Sequence, residues 1–273
     1  MLSDADIDAL AKFAGRLADA AGHASMAYFR SSGLAADNKA SGGAFDPVTV
    51  ADRAAETAMR EILARERPDD GIHGEEQGLT DGRSGLTWVL DPIDGTRAYL
   101  SGLPTWGTLI ALDDGNRGRI GLVDQPFTGE RFTGVIHALG SAATFSHKGQ
   151  TSPITTRSGK RLDQAILFTT APEGFTRNER PAFEAVRAKA RLTRYGIDCY
   201  AYALLAMGQI DLVVESGLQA YDIAAPAALI MAAGGIVTNW RGGDCRHGGR
   251  VLAAASPELH DEVRAILAEV PEP

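Results

Sequence analysis

The stretch that decides the reading runs from Trp88 to Leu100, "WVLDPIDGTRAYL". Three apolar or aromatic residues lead into Asp91, a proline follows, and then come Asp94 and Gly95-Thr96. Proline has no N–H, so a β-strand is predicted to stop its ladder at Asp91. The turn that follows leaves the Ile93 carbonyl without a backbone partner, flanked by the carboxylates of Asp91 and Asp94. Three hard oxygen donors converging on one point suit Mg²⁺. Gly95-Thr96 then opens a helical stretch, "GTRAYL", whose free N–H groups and partial positive charge suit a phosphate. A plain surface turn also uses Asp, Pro and Gly. Turn chemistry explains each residue but not their conjunction.

Other acids lie outward from this stretch. "IHGEEQG" sets Glu75 and Glu76 behind a short predicted strand, where a lone Glu-Glu pair would be a solvated edge. "YDIAAPAALIMAAGG" (221–235) puts Asp222 at the head of a strongly apolar helix, where alone it would be a cap. Asp52 has the same position in an earlier helix, after the N-cap candidate Thr49. What these acids share is placement at the edge of a regular element, where fold-level sites gather.

The whole chain bounds the function. It has 273 residues, 44% of them hydrophobic, which is ordinary globular composition. No apolar run is long enough for a membrane span. The acidic start, "MLSDADIDALAKF", does not read as a signal peptide, and a cytoplasmic protein is expected. The two cysteines, Cys199 and Cys245, lack CxxC spacing and are expected to be reduced and structural. A net charge of -8 argues against nucleic-acid binding. It also requires local positive charge if the substrate is an anion. The six histidines have no metal-ligand spacing.

The pattern divides the chain. Ile7, Leu10, Ala14, Leu17 and Ala21 mark a first helix, followed by a glycine-bearing loop, "ASGGAFDPVTV". A second helix carries a stripe of Ala54, Ala58 and Ile62, widened by Ala55, Met59 and Leu63. Short strands follow, "LTWVL", "TWGTLIAL", "GRIGLV", "RFTGVI" and "AATFS", read as an antiparallel sheet against these helices. From about Leu162 strands and helices alternate, as in a layered α/β lobe. Within it, "RGGDCRHGGR" (241–250) reads as a hairpin between two strands rather than a nucleic-acid patch. The expected organisation is one domain, 1–273, with an N-terminal α+β lobe (1–150) and a C-terminal α/β lobe (151–273), joined near Gly149 to Gly159.

The segments "GEE" (74–76), "WVLDPIDGT" (88–96) and "YDIAAPAALIMAAGG" (221–235) resemble the three signatures of the inositol monophosphatase family, in order and spacing over nearly the whole chain. The resemblance implies an α/β fold, an αβαβα layered sandwich. It also implies Mg²⁺-dependent phosphomonoester hydrolysis of a small phosphorylated metabolite, with two or three Mg²⁺ per site, and usually a homodimer. By position, Glu75, Asp91, the Ile93 carbonyl, Asp94 and Asp222 match metal ligands, and Gly95 and Thr96 the phosphate cradle. Thr96 and Asp52 match the pair that positions the attacking water, with Glu75 as a further catalytic group. Asp198 and Glu215 fall where the rest of the substrate is met, and Arg97 either touches substrate or fixes its loop.

The inositol enzymes typically continue Asp-Gly-Thr-Thr-Asn-Phe. Here "DGTRAYLSGLPTWGTLIAL" (94–112), "GLVDQPFTGERF" (121–132) and the segment 194–225 look more like the histidinol-phosphate phosphatase branch, which serves histidine biosynthesis. That branch usually has Gly-Gly-Asp-Cys-Tyr, and Ile197 replaces the second glycine here. Histidinol carries an amine and an imidazole, and Asp198 with Glu215 would favour a cationic group by charge pairing. The alternatives are an inositol-1-phosphate or broad sugar-phosphate phosphatase, and a regulator with a degenerate phosphate or metal site.

Overall fold

Ser3 starts the first helix, α1 (Asp4–Met26): its hydroxyl accepts the Asp6 N–H at 3.2 Å and the Asp6 carboxylate accepts the Ser3 N–H at 3.0 Å. This computed structural model describes residues 2–32, 36–38 and 47–271. Most of the expected glycine-bearing loop lies outside the described residues. Its end is strand β2 (Pro47–Thr49), paired antiparallel with β1 (Ala36–Asn38). Helix α2 (Val50–Glu66) follows at once, with Thr49 as its N-cap. Its buried apolar face is Ala51, Ala55, Met59 and Leu63, one residue round from the expected stripe; Ala54, Ala58 and Ile62 are half-buried. The face turns because Asp52 and Glu56 are drawn inward with it, each held by polar partners.

The chain then builds an eight-stranded sheet. Its strands are β3 (Gly71–Gly74), β4 (Gly78–Thr80), β5 (Thr87–Asp94), β6 (Gly107–Asp113), β7 (Gly118–Gln125), β8 (Glu130–Ile136), β9 (Ser141–His147) and β10 (Gln150–Pro153), with the short helix α3 (Thr96–Leu100) between β5 and β6. The spatial order is β10-β9-β8-β7-β6-β5-β3-β4. Its pairs are antiparallel, as expected, except β3 with β5, which run parallel. Strand β5 does not stop at Asp91. Asp91 pairs with Leu109 and Asp94 with Gly107, so two residues of β5 oppose one of β6 in a bulge. The bulge absorbs the missing N–H of Pro92, whose carbonyl accepts the Thr108 hydroxyl at 2.8 Å.

The remainder forms a five-stranded sheet and four helices: β11 (Ile166–Thr169), α4 (Arg180–Arg187), β12 (Leu192–Tyr195), α5 (Asp198–Ala206), β13 (Leu212–Gln219), α6 (Ala220–Ala232), β14 (Ile236–Thr238), β15 (Gly248–Ala254) and α7 (Pro257–Leu267). The order is β12-β11-β13-β15-β14, with β11 parallel to both neighbours and the β14–β15 hairpin closed by "RGGDCRHGGR" as expected.

Three cores stack these elements into an αβαβα sandwich. Ile7, Leu17 and Met59 of α1 and α2 pack on Trp88, Leu90 and Ile110 of the larger sheet. Its other face, with Leu109, Val123 and Phe132, meets Leu205 of α5 and Ile223 and Leu229 of α6, and these meet Val213 and Val251 of the smaller sheet. Phe183 of α4 and Val263 of α7 cover the far side against Leu212 and Leu252. The larger sheet touches the α6 backbone directly: a Cβ added at Gly121 would lie 2.1 Å from the Ala225 oxygen, and one at Gly134 would lie 2.6 Å from the Leu229 Cα. Among the described residues no helix is long and apolar enough to cross a membrane.

Candidate active site

Three acids meet where β5, α5 and α6 end or begin. Asp91, fully buried, folds back over the bulge so that its Oδ1 accepts the Ile93 N–H at 3.1 Å. Asp94 accepts the Cys199 N–H of the first turn of α5 at 2.6 Å. Asp222, the third residue of α6, caps that helix by accepting the Gln219 N–H at 2.7 Å. The cap reading of Asp222 therefore holds, and the same residue also belongs to the acid cluster. One oxygen from each of Asp91, Asp94 and Asp222 lies within 4.8 Å of the others.

The electrostatics of this trio follow from crowding. Burial, then the charges of Glu75, Asp94 and Asp222, push the Asp91 carboxyl well above its usual range. Burial, then Asp198 and Asp222, do the same to Asp94, partly offset by the Cys199 bond. Acids so placed need protons or a cation between them. Closely spaced carboxylate oxygens fit a small hard divalent cation, so the donor set is compatible with Mg²⁺.

Glu75 stands just beyond β3, its N–H donating to the Leu90 carbonyl at 3.1 Å. It lines the same cavity and adds a hydrogen bond and a like charge to Asp91, though it lies outside the close trio. The Ile93 carbonyl has a side-chain partner that the sequence did not announce: it accepts the Thr96 hydroxyl at 3.1 Å. The same hydroxyl lies 3.4 Å from Asp52 Oδ1. Asp52 is the third residue of α2 and uses its other oxygen on the Thr49 N–H (2.8 Å) and hydroxyl (2.6 Å). Gly95 has φ of +82°, and a Cβ there would come 3.1 Å from the Asp198 side chain. Helix α3 has only five residues, so its exposed N–H groups matter more than any macrodipole.

Asp198 and Glu215 line the same cavity, about 430 Å³ in volume, together with Arg97. Glu215 is gripped by the Thr169 hydroxyl at 3.1 Å and the Thr170 N–H at 2.5 Å. Burial nevertheless raises its carboxyl to about 7. Burial raises Asp198 to about 6, countered in part by Arg97. Asp198 itself takes a left-handed φ of +43°, whereas Ile197 has φ of -126°. The residue at the second glycine position of the branch motif thus has a negative φ and does not call on glycine's left-handed freedom.

Sequence reasoning missed Glu56. It is completely buried on α2, and its carboxylate accepts the N–H groups of Glu76 and Gln77 at 2.7 and 3.1 Å. The available signal was its spacing: Asp52, Glu56 and Arg60 recur every four residues along one helix face. His260 is buried against Thr238, and His73 packs edge-on to Tyr221 of the cavity lining. Cys199 and Cys245 are buried and unbridged.

Comparison with known proteins places these features in context. The model of the inositol monophosphatase family matches residues 6–272. The chain is similar to bifunctional phosphatase IMPL2, chloroplastic, of Arabidopsis thaliana: 42% identical over 243 residues, which is 88% of this chain and 67% of that protein. It is 36% identical over 259 residues to the histidinol-phosphatase of Streptomyces coelicolor, covering 92% of this chain and 94% of that one. A solved structure of an inositol monophosphatase from Zymomonas mobilis superposes with a TM-score of 0.81 at 42% identity, covering 96% of this chain and 98% of that one.

Proposed function

This chain belongs to the inositol monophosphatase family and is a phosphoric monoester hydrolase, and from that premise we propose that it hydrolyses L-histidinol phosphate to L-histidinol and phosphate. The observation that carries the substrate is the pairing of Asp198 and Glu215 in the cavity that also holds the acid trio. A leaving group bearing an amine and an imidazole matches two carboxylates, whereas a polyol needs only hydroxyl partners. The likeness to a histidinol-phosphatase over nearly both full lengths supports the same reading.

In this proposal Asp91, Asp94, Asp222, Glu75 and the Ile93 carbonyl would hold two or three Mg²⁺. Bound there, Mg²⁺ supplies charge neutralisation of the phosphate, an acidified water and stabilisation of the leaving oxygen. The protein's own part is positioning. The N–H groups of Gly95 and Thr96 receive phosphate oxygens. The Thr96 hydroxyl and Asp52 orient the attacking water in line with the phosphorus–oxygen bond that breaks. Glu75 accepts a hydrogen bond from the same water, and Asp198 and Glu215 seat the cationic leaving group. Arg97, exposed at the cavity rim, favours the charged form of Asp198. A cytoplasmic homodimer completes the proposal. Two unbridged thiols agree with a reducing compartment, and light scattering on the purified protein tests the dimer.

The deciding experiment is phosphate release from histidinol phosphate and from inositol-1-phosphate, each with Mg²⁺ and with chelator. We expect a kcat/KM at least tenfold higher for histidinol phosphate, and no turnover in chelator. Equal or reversed preference overturns the substrate. Inositol-1-phosphate is the second reading, favoured by the similarity to the Zymomonas inositol monophosphatase.

A further inference from the structure

We propose that Glu56 is a positioning residue that presents Glu75 to the metal site, an inference that rests on the metal-ligand reading above. Glu56 is fully buried, yet both of its oxygens serve the turn that carries Glu75. Oε2 accepts the Glu76 N–H at 2.7 Å and Oε1 the Gln77 N–H at 3.1 Å, the two peptides directly after Glu75. On its other side Glu75 is tied to β5 through its own N–H. The Glu75 backbone is therefore held from behind by a strand and from in front by a helix.

Arg60 makes the buried carboxylate tolerable. Its Nε donates to Glu56 Oε1 at 2.7 Å, and its other nitrogens reach the Gly78 carbonyl (2.5 Å) and the Thr80 hydroxyl (3.0 Å). A charge taken out of water is retained only where such charge-assisted bonds replace its hydration. Gly74 is part of the same device. A Cβ there would fall 2.2 Å from Glu56 Oε1, so only glycine lets the carboxylate reach under the turn. One helical turn earlier on the same face stands Asp52, bonded towards Thr96. A single face of α2 thus sets two sides of the site, the water-orienting pair and the Glu75 turn.

The test is a double-mutant cycle on Mg²⁺ binding, read by isothermal titration of chelator-treated protein. The four proteins are wild type, Glu56→Gln, Glu75→Gln and the double variant. Glutamine keeps the volume of Glu56 but turns a donor towards one of the two N–H groups. We expect Glu56→Gln to weaken Mg²⁺ binding by about tenfold, as loss of an outer partner does at metal sites. In the Glu75→Gln background, where Asp91, Asp94 and Asp222 keep binding measurable at millimolar Mg²⁺, the same change should cost less than about twofold. An unchanged affinity in Glu56→Gln, or an equal loss in both backgrounds, overturns the proposal. A wild type that binds no Mg²⁺ overturns the metal-site reading instead. Circular dichroism in chelator checks that each variant is folded. If Glu56→Gln does not fold, Arg60→Lys takes its place, since it keeps the charge and loses the fork to Gly78 and Thr80. A weakening of about threefold that vanishes with Glu75→Gln supports the proposal, and its absence ends it.

Discussion

Asp94 is held at 2.6 Å by a peptide N–H while burial and two neighbouring acids work against its charge. Its substitution therefore separates function from stability. Asp94→Asn should lower Mg²⁺-dependent turnover by about a thousandfold, the scale on which removal of charge stabilisation acts. The same variant should raise the melting temperature of the metal-free protein by about 3 °C or more, because one buried like charge is gone. Turnover near wild type would remove Asp94 from the proposed ligands.

Glu215 gives a pH signature of opposite origin. Its carboxyl, raised by burial to about 7, is protonated below that pH and charged above it. Asp198 follows one step lower, at about 6. The KM for a cationic leaving group should therefore fall as pH rises through 6 to 7, and Glu215→Gln should lose the upper step. A wild-type KM that is flat over this range would contradict the charge-pairing argument. Asp198 and Glu215, which both line the cavity of the acid trio, were named from the sequence only by their positions in the family resemblance. Glu56 was not, since nothing in a Glu-Thr-Ala-Met sequence says which way the helix face turns.

Helices α2 and α6 use one device twice. Each places an aspartate third in the helix, where it closes the cap and also lies at the site. The cap at α2 should be separable from its catalytic consequence. Thr49→Ala should cost about 1 kcal/mol in unfolding free energy. It should also lower kcat by about tenfold with little change in KM, because Asp52 loses the hydroxyl that orients it. Denaturant melts beside steady-state kinetics check both halves, and a stability loss with unchanged kcat would show that Thr49 serves only the helix. At this scale the periodicities of the sequence located most elements. The failure at Pro92 has a physical cause: a bulge leaves a position without a ladder partner, and proline occupies it at no cost in hydrogen bonding.

The stacking of the whole molecule was only half legible. Alternating strands and helices announced a layered C-terminal half, but no local pattern says that α5 and α6 serve both sheets. The clue was composition, since "DIAAPAALIMAAGG" is apolar on every side, as suits a helix buried on most of its faces. The shared core predicts that the two sheets unfold together. Gly121→Ala would drive a methyl to 2.1 Å from the Ala225 oxygen and 2.7 Å from the Leu229 nitrogen. Calorimetry should show a single transition in both proteins, with the variant less stable by about 3 kcal/mol, the cost of forcing a packed layer apart. Two separate transitions in the wild type would contradict the shared core.

The contact of Gly121 and Gly134 with α6 gives the molecule the mechanics of a laminate. Its middle ply cannot slip without carrying Asp222 away from Asp91 and Asp94. The spacing of those acids is thus a strain gauge for the seam between the sheets. Any displacement of α6 against the larger sheet would therefore be felt first in the distance from Asp222 to the two acids of β5.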